Sequence, residues 1–202
     1  MRVYTENGVP TRDGRGLFAK GLIAKHPQLP IEEEGRLHDP RLRENFFEQV
    51  FAYRRLKNIF RSRWRIGDLV AFHASEKLLL MAHDPRAQTP LGRIVAEAKD
   101  RDRKAVCSEY QTGFMRILSQ LATTRKHCNV LQHILGYFRK LLDTAYRQEL
   151  VAVIKDFRSG LVPLIVPVTL MRHHVHRLDV EYLANQTYLQ LHPKELMLRN
   201  HV

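Results

Sequence analysis

From Asp39 onward the apolar residues recur at helical spacing, and the runs are fenced by Asp, Pro or Gly. Asp39-Pro40 supplies an N-cap and a proline at the first helical position. Leu42, Phe46, Val50, Tyr53, Leu56 and Phe60 then predict a helix to about Phe60. Further helices are expected over Asp68–His83, from about Pro90 to Asp102, and over Val106–Ala122. Four more are expected over Thr124–Lys140, Thr144–Arg158, about Val168–His176 and Asp179–Leu191. Helices with one apolar stripe each must bury those stripes against one another. The expected fold is mainly α, a multi-helix bundle.

The residues before Asp39 have a different character. Five of the ten glycines fall in the first 35 residues, and four of the nine prolines by Pro40. A short strand (Arg2–Tyr4), an Asn7-Gly8 turn and a D-G-R-G loop lead into a short helix from Leu17 to about Lys25. H-P-Q-L-P stops that helix, and I-E-E-E-G-R-L follows as a short edge segment. So little strand cannot make a stable sheet, so this part reads as an irregular α/β remnant of a larger unit.

The chain has 202 residues and a formal net charge of +12, with 44% hydrophobic residues. The charge favours an anionic partner. Two cysteines, Cys107 and Cys128, cannot supply a four-ligand zinc site without histidines. The start, M-R-V-Y-T-E-N-G, lacks the apolar core of a signal peptide. The longest apolar run, Leu161–Met171, is short for a bilayer and holds two prolines. These features lead us to expect a cytoplasmic protein with reduced thiols.

Three clusters can carry chemistry. The helix over Thr124–Lys140 has an apolar side of Val130, Leu131, Ile134, Leu135 and Phe138, with polar groups elsewhere. Helical spacing puts Lys126, Asn129, His133, Tyr137 and Lys140 on one stripe, beside Gln132. Those side chains can hold phosphates, pair with base edges and stack. The second cluster is a basic run, Arg54, Arg55, Lys57, Arg61, Arg63 and Arg65, with no acid inside it. Tyr53, Phe60 and Trp64 interleave it, which suits phosphates and unpaired bases. It also suits a solvated helix end with its aromatics in the core. In the third, His73 and Lys77 share a stripe, with Glu76 and His83 nearby. His73 can serve as acid, base or polar contact, and Lys77 can hold a phosphate; a salt-bridged surface turn is the simpler reading.

Other patterns are weaker. His173, His174 and His176 invite a metal, but the helix offers only Asp179 as a further ligand, so a basic patch is favoured and no metal site is assigned. Glu32, Glu33 and Glu34 are consecutive and suit a turn anchoring Arg36, Arg41 or Arg43. G-R-G-L-F-A has too few glycines for a phosphate loop. Lys126 and His127 could lower the Cys128 pKa, but a structural cysteine is the expectation.

Five blocks carry a family resemblance. They are F-H-A-S-E-K-L-L-L-M-A-H (72–83), L-G-R-I-V-A (91–96), N-V-L-Q-H-I-L-G-Y-F (129–138), G-L-V-P-L-I-V-P-V-T-L (160–170) and Y-L-A-N-Q-T-Y-L (182–189). In this order they resemble the YbgA-like domain of unknown function, across roughly residues 66–200. That domain usually ends in a Pro-Tyr-Pro run, where this chain has Leu191-His192-Pro193. G-R-G-L-F-A (14–19) and L-P-I-E-E-E-G-R-L-H-D-P-R-L-R-E-N-F (29–46) resemble the C-terminal end of TudS-type thiouracil desulfidases. In that family three cysteines hold an iron–sulfur cluster that takes sulfur from a thiolated base. Those cysteines precede the matched region, M-R-V-Y falling just after the last of them. Cys107 and Cys128 lie outside it, so no cluster ligand carries over.

The resemblance implies a desulfidase remnant (1–46), a basic helical connector (47–65) and a YbgA-like helical domain (66–202). In fusions of the two domains, the YbgA-like part is thought to help hold a thiolated tRNA. The function expected here is an RNA-binding accessory module, for tRNA, of a thiouridine desulfidase system. No cofactor is expected in this chain; the cluster belongs to the complete desulfidase. The nucleic-acid contacts would be Arg54, Arg55, Lys57, Arg61, Arg63, Arg65, Lys126, Asn129, Gln132 and Lys140. His73, Lys77, His83, His133 and Tyr137 are the further candidates. The alternatives are an enzyme on a nucleotide-like substrate using His73 and His133, and a module that docks on a desulfidase domain in cis or in trans. The latter would expose Val3, Leu17, Phe18 and Ile31.

Overall fold

The structure is a computed structural model that describes residues 16–61 and 63–190, with the backbone alone at 3–4 and 10–11. The expected Asn7-Gly8 turn, most of the D-G-R-G loop and Leu191-His192-Pro193 lie outside the described residues. The bundle is mainly α, as its punctuation predicts. Strands β1 (Val3–Tyr4) and β2 (Pro10–Thr11) pair antiparallel, Val3 opposite Thr11. Helix α1 (Leu17–Lys25) follows and buries none of its residues. The expected edge segment is instead a 3₁₀ turn, Glu34–His38. Arg36 Nε donates to Glu32 Oε1 at 2.7 Å just before it.

Helix α2 (Pro40–Ile59) starts where Asp39 accepts from Arg41 N and Leu42 N. It runs unbroken through Phe46 and most of the basic connector. Helix α3 (Ile66–His83) is the axle of the bundle. Leu78, Leu79 and Leu80 are buried in succession, which an amphipathic surface helix would not allow. It packs against α2, α4 (Gln88–Ala96), α5 (Arg103–Leu118) and α6 (Thr124–Tyr137). Helices α7 (Thr144–Arg158) and α8 (Ile165–Arg177) pack on α6. Asp102, Thr123 and Asp143 cap α5, α6 and α7, accepting from Ala105 N, Lys126 N and Tyr146 N. Gly160, at φ +73°, closes α7, and Leu161 N donates back to Asp156 O.

The last expected helix, Asp179–Leu191, breaks into pieces. Asp179 takes φ +51° and ends α8, with Val180 N donating to Val175 O. Helix α9 is only Glu181–Ala184, and a 3₁₀ turn, Thr187–Leu189, follows. Tertiary contacts explain the break. The Gln186 amide donates to Ala74 O (2.8 Å) and accepts from Leu78 N (3.2 Å), joining one turn of α3. Thr187 Oγ1 donates to Glu76 Oε1 at 3.1 Å, and the Tyr188 hydroxyl meets His127 Nδ1 at 3.0 Å. A continuous helix lying on the bundle surface would fan three successive side chains around its axis and could not aim all three at α3 and α6.

Candidate nucleic-acid interface

The last turns of α2 carry Arg54, Lys57 and Asn58, and Arg61 follows just beyond the helix end. They face the first half of α5, which carries Arg103, Lys104, Cys107, Ser108 and Gln111. Between the helices lies a cleft of about 520 Å³ continuing into a second of about 330 Å³. Lys57, Cys107 and Gln111 line both, and among the described residues no carboxylate lines either. Arg103 and Lys104 occupy the first turn of α5, where the helix dipole disfavours cations. Asp102 offsets this as the cap, yet two cations there are not what helix stability alone selects.

The aromatics of the basic run are half-buried and engaged. Phe60 and Trp64 meet edge to face at 5.2 Å, and Phe60 reaches Tyr110 at 6.5 Å. The Arg103 guanidinium lies 5.6 Å from the Trp64 ring centre, and Arg103 Nη1 donates to Trp64 O. Lys57 Nζ lies 5.7 Å from the Tyr53 ring centre. Phe60 and Trp64 therefore line the cleft, and Trp64 and Tyr53 each lie against one of its cations.

Not every basic residue of the run is available. Arg55 turns inward and donates from Nε and Nη2 to Glu76 at 2.6 and 3.0 Å. Glu76 is fully buried, so the simple reading of a salt-bridged surface turn fails as well. Arg63 and Arg65 are exposed on the α2–α3 segment and do not line the cleft. Arg103 and Lys104 are cleft-lining residues that sequence reasoning missed. The R-D-R-K run (101–104) signals them weakly, because its acid hides the charge.

The stripe on α6 also divides. Asn129, Gln132, His133 and Tyr137 are exposed, as is Lys140 in the turn beyond the helix. Lys126 is spent on structure: its Nζ donates to His83 O (2.5 Å) and Leu121 O (3.0 Å), tying α3's end to the α5–α6 turn. His133 and Tyr137 meet at 5.5 Å with planes 79° apart, and Tyr137 stacks on Tyr182 at 5.2 Å. Burial, then Tyr137 with its hydrogen bond, pushes the Tyr182 phenol up to about 12. The result is a corner of two exposed rings, one braced from behind.

The histidines separate. His73 Nδ1 lies 3.2 Å from the Tyr110 hydroxyl and its ring abuts Gly92. Burial, then Lys77, lowers its pKa and so favours the neutral ring. Burial, then Glu76, raises the Tyr110 phenol well above its usual range. Among the described residues, no contact joins His73 to His133. His83 is not a surface candidate: it is fully buried, its Nδ1 donating to Gln120 O at 2.6 Å and its Nε2 3.2 Å from Glu48. Its role is to join α2, α3 and the α5–α6 turn. Lys77 is exposed.

Cys107 and Cys128 sit on different helices, and burial raises both thiols. That suits neither a nucleophile nor a thiolate ligand. His173 and His176 are exposed while His174 is buried. Among the described residues, no three His, Cys, Asp or Glu side chains converge as a metal site. Among them, too, no helix is long and apolar enough to cross a membrane.

Fold and site together define a mainly α bundle whose cations gather in an acid-free cleft. The chain belongs to the family described as "Protein of unknown function (DUF1722)", which matches residues 77–193. It is also similar to the "Uncharacterized protein YbgA" of Escherichia coli strain K12. The two are 31% identical over 153 residues, covering 75% of this chain and 90% of that protein. No solved structure matches the chain. The family match includes the α5 wall of the cleft and the α6 stripe, while the α2 wall precedes it.

Proposed function

We propose that this chain is an RNA-binding accessory module, with tRNA as its RNA, in a thiouridine desulfidase system. The acid-free cleft carries the reading: Arg54, Lys57, Arg61, Arg103 and Lys104 converge from two helices with no carboxylate between them. Such a cleft holds a phosphate backbone and releases its counterions. The exposed His133–Tyr137 corner, rimmed by Asn129 and Gln132, suits an unpaired base. The link to desulfidation rests on the TudS-like residues 14–19 and 29–46; this chain holds the RNA and leaves the sulfur chemistry to a complete desulfidase domain.

Titrating labelled tRNA across salt concentrations tests the proposal. Affinity should fall linearly in log–log form, with a slope of about 0.7–0.9 per phosphate contact. Alanine at Arg54, Lys57 or Arg61 should shallow that slope, and His133→Ala should weaken binding. No binding at low salt, or binding indifferent to salt, overturns it. One observation favours a second reading, docking on a separate desulfidase chain: Leu17 and Phe18 on α1 are 89% and 85% exposed. Co-purification with a TudS-type desulfidase that persists in Leu17→Ser/Phe18→Ser would remove that reading.

A further inference from the structure

The floor of the cleft holds a group that its electrostatics do not explain. Gln111 is 7% exposed and lines both parts of the cleft. Its Nε2 donates to Cys107 Sγ at 2.8 Å, while its Oε1 is buried with no hydrogen-bond partner among the described residues. A buried carbonyl left unpaired costs about 1–3 kcal/mol. The bond that holds it so is weak, since a thiol sulfur is a poor acceptor. The last side-chain bond of a glutamine turns easily, and turning it brings Oε1 to the cleft surface. An incoming donor then gains a strong bond to the carbonyl oxygen, while Nε2 gives up its weak bond to sulfur and takes the buried place that Oε1 leaves.

The cleft itself selects that donor. Lys57 covers the Tyr53 ring, Arg103 covers the Trp64 ring, and Phe60 packs against Trp64 and Tyr110. Arg103 occupies one face of Trp64, and Gln28, Asn58, Ser108 and Gln111 make the rest of the lining polar, so the cleft fits sugar and phosphate. In a polynucleotide held by its phosphates, the nearest sugar donor is the ribose 2′-hydroxyl, which DNA lacks. We infer that Gln111 accepts from a ribose 2′-hydroxyl, so the cleft takes RNA backbone in preference to DNA. This rests on the nucleic-acid reading above.

The test compares one single-stranded sequence as RNA, as 2′-fluoro RNA and as DNA. The wild-type chain should bind RNA about 10-fold more tightly than either other form, the scale of one net hydrogen bond. Gln111→Met, of similar shape, should abolish the preference and leave DNA affinity unchanged. It should also melt no lower than wild type, because it deletes an unpaired acceptor; a merely structural glutamine would lose stability. Equal wild-type affinity for all three strands, with salt dependence intact, overturns this inference alone. A preference that survives Gln111→Met does the same. Failure to bind any strand overturns the nucleic-acid reading and this inference with it.

Discussion

Arg54 and Arg55 are sequence neighbours with opposite surroundings, and replacing each with alanine should have opposite effects. Arg55 donates two hydrogen bonds to Glu76, which is fully buried, while the Arg55 side chain keeps 30% exposure. Arg55→Ala leaves the carboxylate with the Thr187 hydroxyl at 3.1 Å. Breaking a buried pair from one side costs about 3–5 kcal/mol. Water can enter through Arg55's exposed edge, so the low end, about 3 kcal/mol, is expected. For a chain of this size that lowers the melting temperature by roughly 6–12 °C. Arg54 is exposed at the cleft, so Arg54→Ala should stay within about 0.5 kcal/mol of wild type. It should lose one phosphate contact, reducing the salt slope by about 0.7–0.9. Urea unfolding and RNA titration across salt read the two effects separately. The double variant Arg55→Leu/Glu76→Leu should be more stable than Arg55→Ala, because no buried charge is stranded. An unchanged urea midpoint in Arg55→Ala, or a slope loss equal to that of Arg54→Ala, would refute the reasoning.

Two further expectations concern the bundle itself. Gln186→Leu removes the amide that meets Ala74 O and Leu78 N while 1% exposed, so it should cost about 2–3 kcal/mol in urea unfolding and loosen the Thr187–Leu189 turn from α3. His174 is 4% exposed with an unpartnered Nδ1, and burial, then Arg177, lowers its pKa. The unfolded chain therefore takes up a proton first as pH falls below about 6.5. Stability should be fully present above that pH and should decline below it, until the folded ring also protonates. His174→Phe should flatten the decline between pH 7 and 5 in thermal melts; an unaltered pH profile would count against it.

The elements whose ends the sequence states in local chemistry are the ones it places well. Asp39-Pro40, Thr123, Asp143 and Ser159-Gly160 mark helix ends within a residue or two, because capping involves only neighbours along the chain. The C-terminal segment was not legible in this way: Gln186, Thr187 and Tyr188 turn towards partners up to 112 residues away. The site divides along the same line. Residues 54–65 announce a basic surface, and the α6 pattern announces an exposed stripe. Neither shows that Arg55 turns to buried Glu76, that Lys126 is held by backbone carbonyls, or that His83 is enclosed. Charge and helical period are properties of the chain and survive any packing. Which arginine faces the cleft and which meets Glu76 depends on what α3 and α5 bring opposite. The sequence by itself determined a basic, mainly α bundle with a polar stripe on α6. Only the tertiary structure decided that Arg54, Lys57, Arg61, Arg103 and Lys104 share one cleft, with Gln111 in its lining, because α2 and α5 meet through contacts that no local pattern encodes.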